Sequence, residues 1–494
     1  MIFSSMIFLW VFLPTTLIIY YLLNIIIINK KVCIAIKNIF LLIASLLFYA
    51  WGNLYFFIIM LYCIVINYTG GLIISIIDSK KKKTRSFILF LIIFLNILML
   101  FLFKYFNMTI MIIEQVIANN NLKDVFLNIF SMKRTGSLRI IEIALPIGIS
   151  FFTFQAMSYV IDVYYKKAKA QKYISDFGLY VALFPQLIAG PIVRYADIAR
   201  QINNRVESTD KFSKGIKRFC YGLGKKVILA NTFALIVDNI YKYDLNNIGR
   251  IIAIMFTVSY MLQIYYDFSG YSDMAIGIGL MFGFEFKENF DYPYTSFSIT
   301  EFWRRWHISL SNWFKEYIYI PLGGNRKGII RTCLNLLIVF FLTGIWHGAN
   351  FTFIIWGMIY GVIIVVEKLF LYKILQWNKI KIINLAYVIF VVSMLFILFR
   401  CDTVFDAIAI YKQFFIIDSK YSFMSLMSMK YILALVFGIL FTGIFQRIFI
   451  KIYKRINKLT IVNMIDSLIQ FSILAYSVLC IVDGTYNPFI YFQF

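Results

Sequence analysis

The sequence predicts an all-α membrane protein whose chain crosses the bilayer many times. Its 494 residues are 61% hydrophobic with a mean hydropathy of +0.80, whereas soluble domains are about 45–50% apolar. Continuously apolar runs recur from one end of the chain to the other, without the strict alternation of a membrane β-barrel. Since a spanning helix needs about 17–25 apolar residues, we expect roughly ten or eleven transmembrane helices.

The excess of positive charge fits loops on the cytoplasmic side of a membrane. Lys and Arg total 48 against 24 Asp and Glu, a net charge of +24. The basic residues cluster between the apolar runs, for example at 30–37, 81–85 and 451–458. Such clusters mark cytoplasmic loops and attract anionic lipid head groups. With no nucleic-acid-binding motif beside them, the expected partner is the lipid bilayer and not nucleic acid.

The apolar segments give the expected positions of the helices along the chain. They fall at about 7–28, 39–51, 54–77, 87–113, 140–163, 178–193, 227–241, 251–283, 334–350, 352–370, 382–399, 431–450 and 467–482. The shorter segments are expected to be re-entrant. The stretch 181–195 is the clearest such prediction, because Pro185, Gly190 and Pro191 each disrupt a helix.

Basic loops set the expected orientation of the first helices. The clusters at 30–37 and 81–85 are both expected in the cytoplasm. The apolar stretch between them must therefore cross twice, with a break at 51–53. The N-terminus and the loop 119–139 then lie outside the cell.

One charged interruption, 284–331, stands out from the apolar chain. Ser298 and Glu301 fit the capping box of a helix start. The residues that follow recur at three- and four-residue steps and predict one amphipathic helix lying along the membrane interface. Its aromatic face holds Trp303, Trp306, His307, Leu310, Trp313, Phe314 and Tyr317, and the remainder holds Arg304, Arg305, Ser311, Asn312, Lys315 and Glu316.

The chain has only two histidines, His307 and His347. His347 lies in GIWHGANF, inside an apolar run, where an ionisable residue is costly and its default interpretation is functional. A histidine with a reference pKa of ~6.5 suits a base that takes a proton from a hydroxyl. A neutral imidazole that joins two helices by a hydrogen bond is the alternative. Because the six cysteines are scattered and no carboxylate cluster accompanies the histidines, we expect no metal and no bound cofactor.

Two carboxylates, Asp267 and Asp273, lie among small and aromatic residues in 263–279. The small residues Gly270, Ala275, Gly277 and Gly279 suit close helix packing. A polar wall of a substrate path is the other interpretation, and we favour it for Asp267 while leaving Asp273 open.

Together these motifs resemble the membrane-bound O-acyltransferases (MBOAT), and among them the alginate O-acetyltransferase, AlgI-type, branch. The resemblance covers about residues 140–365, and it implies a helical membrane fold around a central tunnel. Because the chain shows no internal repeat of fixed period and no low-complexity linker, we expect a single membrane domain, 1–494. The motifs that carry it are PIGISFFTFQAMSYVIDVYYKK (146–167), FPQLIAGPIVRY (184–195), YYDFSGYSDMAIG (265–277), NFDYPY (289–294), FWRRWHISLSNWF (302–314), YIPLGGNRKG (319–328) and LTGIWHGANFTFIIWG (342–357).

The resemblance also implies a reaction and its participants. His347 would be the catalytic base or acyl-handling residue, and His307 a second essential group. Acetyl-CoA would be the cytoplasmic acyl donor. An extracytoplasmic, membrane-tethered acetyltransferase partner would pass the acetyl group to a polysaccharide outside a bacterial plasma membrane.

Several further residues are expected to line the tunnel or the donor site. Arg304 and Arg305 would steer an anionic donor; the alternative is head-group anchoring and pairing with Glu301. The full set is Asp267, Trp303, Arg304, Arg305, Trp306, Asn312 and Trp346.

Two other functions stay open at this point. A D-alanyl transferase of teichoic acid, DltB-type, would take its acyl group from a carrier protein. A transporter or flippase would fit broken helices and a buried Asp267, although the chain shows no pair of related halves.

Overall fold

The computed structural model consists of helices joined by short loops. It describes residues 1–118, 145–371, 381–443 and 460–490, except 53, 485 and 489, together with isolated positions between these ranges. The predicted external loop at 119–139 and the basic cluster at 451–458 lie largely outside the described residues, as do residues 140–144.

Ten helices of the described chain are long and apolar enough to cross a membrane, which confirms the predicted fold class. They are α1 (Phe8–Ile26), α2 (Lys30–Ala50), α3 (Leu54–Ile76), α4 (Lys82–Ala118), α9 (Thr209–Tyr241), α10 (Gly249–Met281), α13 (Gly328–His347), α14 (Phe351–Leu371), α15 (Lys381–Arg400) and α18 (Ile461–Asp483). The shorter helices are α5 (Ile149–Tyr164), α6 (Ile174–Ala182), α7 (Phe184–Leu187), α8 (Tyr195–Asn204), α11 (Ile299–Arg305), α12 (Ile308–Phe314), α16 (Val404–Gln413) and α17 (Met429–Leu440).

The predicted break at 51–53 falls between two helices, as expected. Asn29 starts α2, because its side chain accepts hydrogen bonds from the amides of Lys31 and Val32. Helix α2 ends at Ala50 and α3 begins at Leu54, so the apolar stretch between the basic loops folds as two helices, each long and apolar enough to cross a membrane.

The stretch 181–195 is irregular and buried, as its prolines predict. A short helix, α7, leads into extended backbone. Irregular backbone at this depth needs internal hydrogen-bond partners, and side chains supply them. Tyr180 Oη donates to Val193 O at 3.0 Å, and the amides of Phe184 and Ile192 bond the hydroxyls of Ser45 (3.1 Å) and Ser309 (3.0 Å).

The prediction of one amphipathic interfacial helix over 298–317 is wrong. Ser298 does cap a helix start, accepting from the Glu301 amide at 2.9 Å. That helix, α11, ends at Arg305, and α12 begins at Ile308. Between them His307 takes a left-handed conformation, with φ +44° and ψ +54°. The tryptophans of both helices are buried inside the protein and do not face a membrane interface.

The core has two apolar clusters that meet at the two histidines. One cluster contains residues of α1–α8 together with Phe268 and Trp346. The other joins α9, α10 and α11 to α13–α17 and contains Trp356 and Phe399. Trp346 of the first cluster contacts His307 and His347, whereas Trp356 and Phe399 of the second contact His347.

Candidate active site

Hydrogen bonds to Asn289 stabilise the break between α11 and α12, where His307 lies. The Asn289 carbonyl accepts from the Ile308 amide at 2.9 Å, and its side-chain oxygen accepts from the Ser309 amide at 3.1 Å. The Arg305 carbonyl accepts from the Asp291 amide at 2.9 Å. These bonds from a neighbouring segment satisfy backbone groups on both sides of the break, which stabilises a conformation that non-glycine residues rarely adopt.

His347 is the last residue of α13, at the turn into α14. Asn350 starts α14, since its side chain accepts from the Thr352 amide at 2.9 Å and donates to Asp402 O at 2.9 Å. The two helices approach closely: a Cβ added to Gly344 would lie 2.5 Å from Phe353 O. The glycine therefore lets α13 and α14 pack backbone to backbone beside His347.

The indole of Trp346 contacts both imidazoles. The ring centroids of His307 and Trp346 are 5.8 Å apart, and those of Trp346 and His347 are 5.0 Å apart. Phe151, near the start of α5, packs on both His307 (6.1 Å) and Trp346 (5.1 Å). The two histidines isolated by sequence reasoning are thus brought into one aromatic cluster.

The hydrogen bonds around Ser309 determine the tautomer of His307. The Ser309 hydroxyl donates to Asn289 Oδ1 at 2.8 Å and accepts from the Ile192 amide at 3.0 Å. Because its one proton is given to Asn289, the 3.4 Å contact with His307 Nδ1 is a hydrogen bond only in the tautomer whose Nδ1 carries the proton, and this is the tautomer we assign. His307 Nε2 then presents a lone pair, and it has no hydrogen-bond partner among the described residues.

His307 is 1% exposed and lies outside the membrane-spanning helices. Burial lowers the pKa of its imidazole to about 3, since a low-dielectric interior disfavours the cation. His307 is therefore neutral at physiological pH, as a proton or hydrogen-bond acceptor must be.

A small cavity lies beside His347. Its volume is about 30 Å³, enough for a water-sized group. It is lined by Lys104, Leu145, Pro146, Ile147, Gly148, Ile149, Ser150, Phe151, Ile188, Trp346 and His347. Its polar wall therefore comes from Lys104, Ser150 and His347.

Asp267 and Asp273 both pair with basic residues of α9. Asp267 bonds Lys226 Nζ at 2.6 Å and accepts from the Ile490 amide at 2.8 Å. Asp273 bonds Arg218 and Lys225 at 2.7 and 2.6 Å.

The glycines of 263–279 do provide a packing face, as one interpretation expected. A Cβ on Gly270 would lie 2.8 Å from Gly222 O, and one on Gly277 would lie 2.7 Å from Gly215 O. The residue after Asp267, Phe268, reaches the histidine cluster, with its ring centroid 4.6 Å from that of His307. The closely packed α9–α10 pair therefore supports one wall of the cluster.

The remaining predicted residues divide between the interior and the surface. Trp303 packs on Trp356 (5.6 Å between ring centroids), and Trp306 is buried against Phe302 (5.5 Å). Arg304 and Asn312 are exposed. Arg305 pairs with Glu301 at 2.6 Å, which confirms the predicted pairing.

Sequence reasoning missed Lys104. Its ammonium Nζ lies 2.6 Å from Trp346 O and 3.3 Å from His347 O. A signal was present, because Lys104 is the one charged residue in the apolar segment 87–113, and a charge in such a segment is a functional hypothesis by default.

A model of the membrane-bound O-acyltransferase family matches residues 173–401, a range that contains both histidines. A probable alginate O-acetylase AlgI of Pseudomonas putida is 40% identical over 368 residues, 74% of this chain and 71% of that protein. The chain belongs to the membrane-bound O-acyltransferase family. It is therefore a multi-pass membrane O-acyltransferase.

Two other relatives act on cell-wall polymers. A peptidoglycan O-acetyltransferase of Helicobacter pylori is 38% identical over 306 residues, 54% of this MBOAT chain and 58% of that protein. A teichoic acid D-alanyltransferase of Bacillus subtilis is 27% identical over 249 residues, 47% of this chain and 60% of that protein. Identity is thus higher to these O-acetyl-transferring relatives than to the D-alanyl-transferring one.

Proposed function

We propose that this enzyme transfers acetyl groups from cytoplasmic acetyl-CoA for O-acetylation of a polysaccharide outside a bacterial plasma membrane. The observation that carries the proposal is the pair of buried imidazoles on Trp346, within the family-matched region. Similarity to the alginate and peptidoglycan O-acetylating enzymes supports the acetyl group and the polysaccharide acceptor. A membrane-tethered extracytoplasmic partner is the proposed carrier to the polymer.

In this proposal His347 is the general base. As the acceptor hydroxyl oxygen attacks the acetyl carbonyl carbon, a C–O bond forms and the C–S bond to CoA breaks. The hydroxyl proton passes to the His347 imidazole and from there to the leaving thiolate. A base of this kind contributes about 10²–10⁴-fold to the rate.

His307 is the second essential group. Its Nε2 lone pair accepts a hydrogen bond from a donor group of the bound substrates other than the reacting hydroxyl, whose one proton goes to His347, and so orients the substrates for attack. The neutral, buried imidazole suits this role, because a low-dielectric site strengthens a polar contact. We also propose that 1–494 forms one membrane domain, with the meeting of the two apolar clusters as support.

The identity of the acyl donor tests the proposed function. Membranes that contain the enzyme and its genomic neighbours are incubated with radiolabelled acetyl-CoA or with a carrier protein loaded with labelled D-alanine. We expect label in the extracytoplasmic glycan fraction from acetyl-CoA only. Label from the D-alanyl carrier alone would replace the proposal with D-alanyl transfer, for which the Bacillus subtilis relative is the precedent.

A further inference from the structure

Lys104 is a buried cation inside the apolar helix α4. It is 8% exposed. Among the described residues no carboxylate forms an ion pair with it, whereas the buried Lys37 and Lys226 pair with Glu207 and Asp267. A buried ammonium group needs compensating partners, and those of Lys104 are mainly peptide carbonyls.

The partners of Lys104 lie at the end of the His347 helix. Nζ donates to Trp346 O at 2.6 Å, His347 O at 3.3 Å and Ser150 Oγ at 3.2 Å. These three acceptors match the three donors of an ammonium group. The last carbonyls of a helix have no partner within it, and a cation at this end is also favoured by the helix dipole.

Tyr105, the residue after Lys104, adds a hydrogen bond to the same end of α13. Tyr105 Oη donates to Ile345 O at 2.8 Å, so two adjacent residues bond three successive carbonyls that end at His347. Both belong to the π-helical turn Phe101–Tyr105. Such turns re-aim side chains and occur frequently at functional sites.

Lys104 also joins the His347 helix to α5. Ser150 lies in the first turn of α5, and the next residue, Phe151, packs on both Trp346 and His307. One ammonium group therefore connects the backbone of His347 to the helix that positions the neighbouring rings. Lys104 also lines the small cavity beside His347.

We propose that Lys104 is a positioning residue, which fixes the orientation of His347 and Trp346 for acyl transfer by holding the end of α13 against α4 and α5. This inference rests on the proposed function of His347. It assigns to Lys104 no contact with the reacting groups, since its three donors are engaged by protein.

The two-histidine composition allows a direct test. Protein grown with ¹⁵N-labelled histidine gives imidazole signals from His307 and His347, which His347→Ala assigns. We expect Lys104→Met to shift or broaden the His347 signals more than those of His307. Tyr105→Phe, the matched control, removes a bond to the same helix end but none to the His347 carbonyl, and it should leave the signals near wild type. Unchanged His347 signals in Lys104→Met would overturn the proposal.

Kinetics separate positioning from a purely structural role. We expect Lys104→Met to lower kcat per folded enzyme by on the order of 10–100-fold, because small displacements of a reacting group are costly, with the donor KM and the unfolding temperature near wild type. Lys104→Arg should restore part of kcat. An unchanged kcat, or a loss matched by lower unfolding temperature and folded yield, would overturn the proposal.

Two features keep this test conclusive. If Lys104→Met does not fold, Ser150→Ala removes one acceptor and leaves Lys104 in place, and the same His347 signal shift is expected at smaller size. Absence of that shift would then overturn the proposal. The spectra need no acetyl transfer, so failure of the proposed reaction and failure of the Lys104 role are distinguishable.

Discussion

The ring of His307 lies 5.8 Å from the indole of Trp346, the residue that immediately precedes His347. His307 occupies a backbone break and His347 a helix end. Both histidines therefore depend on contacts from distant segments for their position.

We expect substitution of Trp346 to lower the rate of acetyl transfer more than it lowers the stability of the fold. Trp346→Leu removes the ring that both imidazoles contact, and we expect kcat to fall by about 10–100-fold, as for other displacements of reacting groups. Trp346→Phe keeps an aromatic ring and should retain more activity. The measurement is acetyl transfer per folded enzyme in detergent or in membranes. Equal activity of Trp346→Leu and wild type would show that the shared indole does not position the histidines.

Asn289 is expected to determine which ring nitrogen of His307 carries the proton. Asn289→Ala removes the acceptor of the Ser309 hydroxyl and amide, so Ser309 is released to donate to His307 Nδ1 and the Nε2 lone pair is lost. We expect on the order of a 10²-fold loss of transfer, the size of a general acid–base contribution. Asn203→Ala, at an exposed position of α8 outside the candidate site, is the control and should transfer at the wild-type rate. If the two variants behave alike, the assigned tautomer is wrong.

The hydrogen bonds around the Glu207 carboxyl predict that the folded protein loses stability in acid. Burial would raise the pKa of its carboxyl, but hydrogen bonds from Lys37 (2.7 Å), Tyr20 (2.6 Å) and Asn24 (3.0 Å) outweigh that effect and lower the pKa below 4.5. A lowered pKa contributes stability above about pH 4.5, and the contribution is lost as the pH falls through the folded-state value.

The unfolding temperature in detergent between pH 7 and pH 3 measures this effect. Glu207→Gln should cost on the order of 2 kcal/mol at pH 7, as for hydrogen bonds to charged groups, and should show a smaller further loss in acid than wild type. Asp210→Asn breaks the exposed pair with Lys214 and should change little. If the unfolding temperature of Glu207→Gln falls with pH as steeply as that of wild type, Glu207 is ruled out as the source of the acid sensitivity.

Arg304 is the better-placed arginine for donor steering. Arg305 is held by Glu301, whereas the Arg304 side chain is exposed. Arg304→Gln should raise the KM for acetyl-CoA by about 2–5-fold at low ionic strength, and the effect should shrink as salt screens the charge. A KM that matches wild type at every salt concentration would leave only head-group anchoring for this residue.

The histidine pair was predictable because it depends on composition and local setting. Two histidines in 494 residues, one inside an apolar run, are conspicuous in the sequence. The break between α11 and α12 was not predictable, since the three- and four-residue periodicity continues through His307. It depends on the backbone and side chain of Asn289.

The role of Lys104 shows the same division between local and distant signals. That a lone charge in 87–113 is functional could be predicted from the sequence. That its partners are the carbonyls of Trp346 and His347 could not, because they lie far along the chain and a helix end has no side-chain signature for such a donor.

Acetyl transfer by His347→Ala tests the central claim most directly. Membranes with equal amounts of folded wild-type or variant enzyme are given radiolabelled acetyl-CoA and an extracytoplasmic glycan acceptor, with the exposed-site variant Asn203→Ala as the control. We expect label to reach the glycan with wild type and control, and to fall by at least about 10²-fold in His347→Ala and His307→Ala, as expected for loss of an acid–base group. Transfer at the wild-type rate by folded His347→Ala would contradict the assignment of the site.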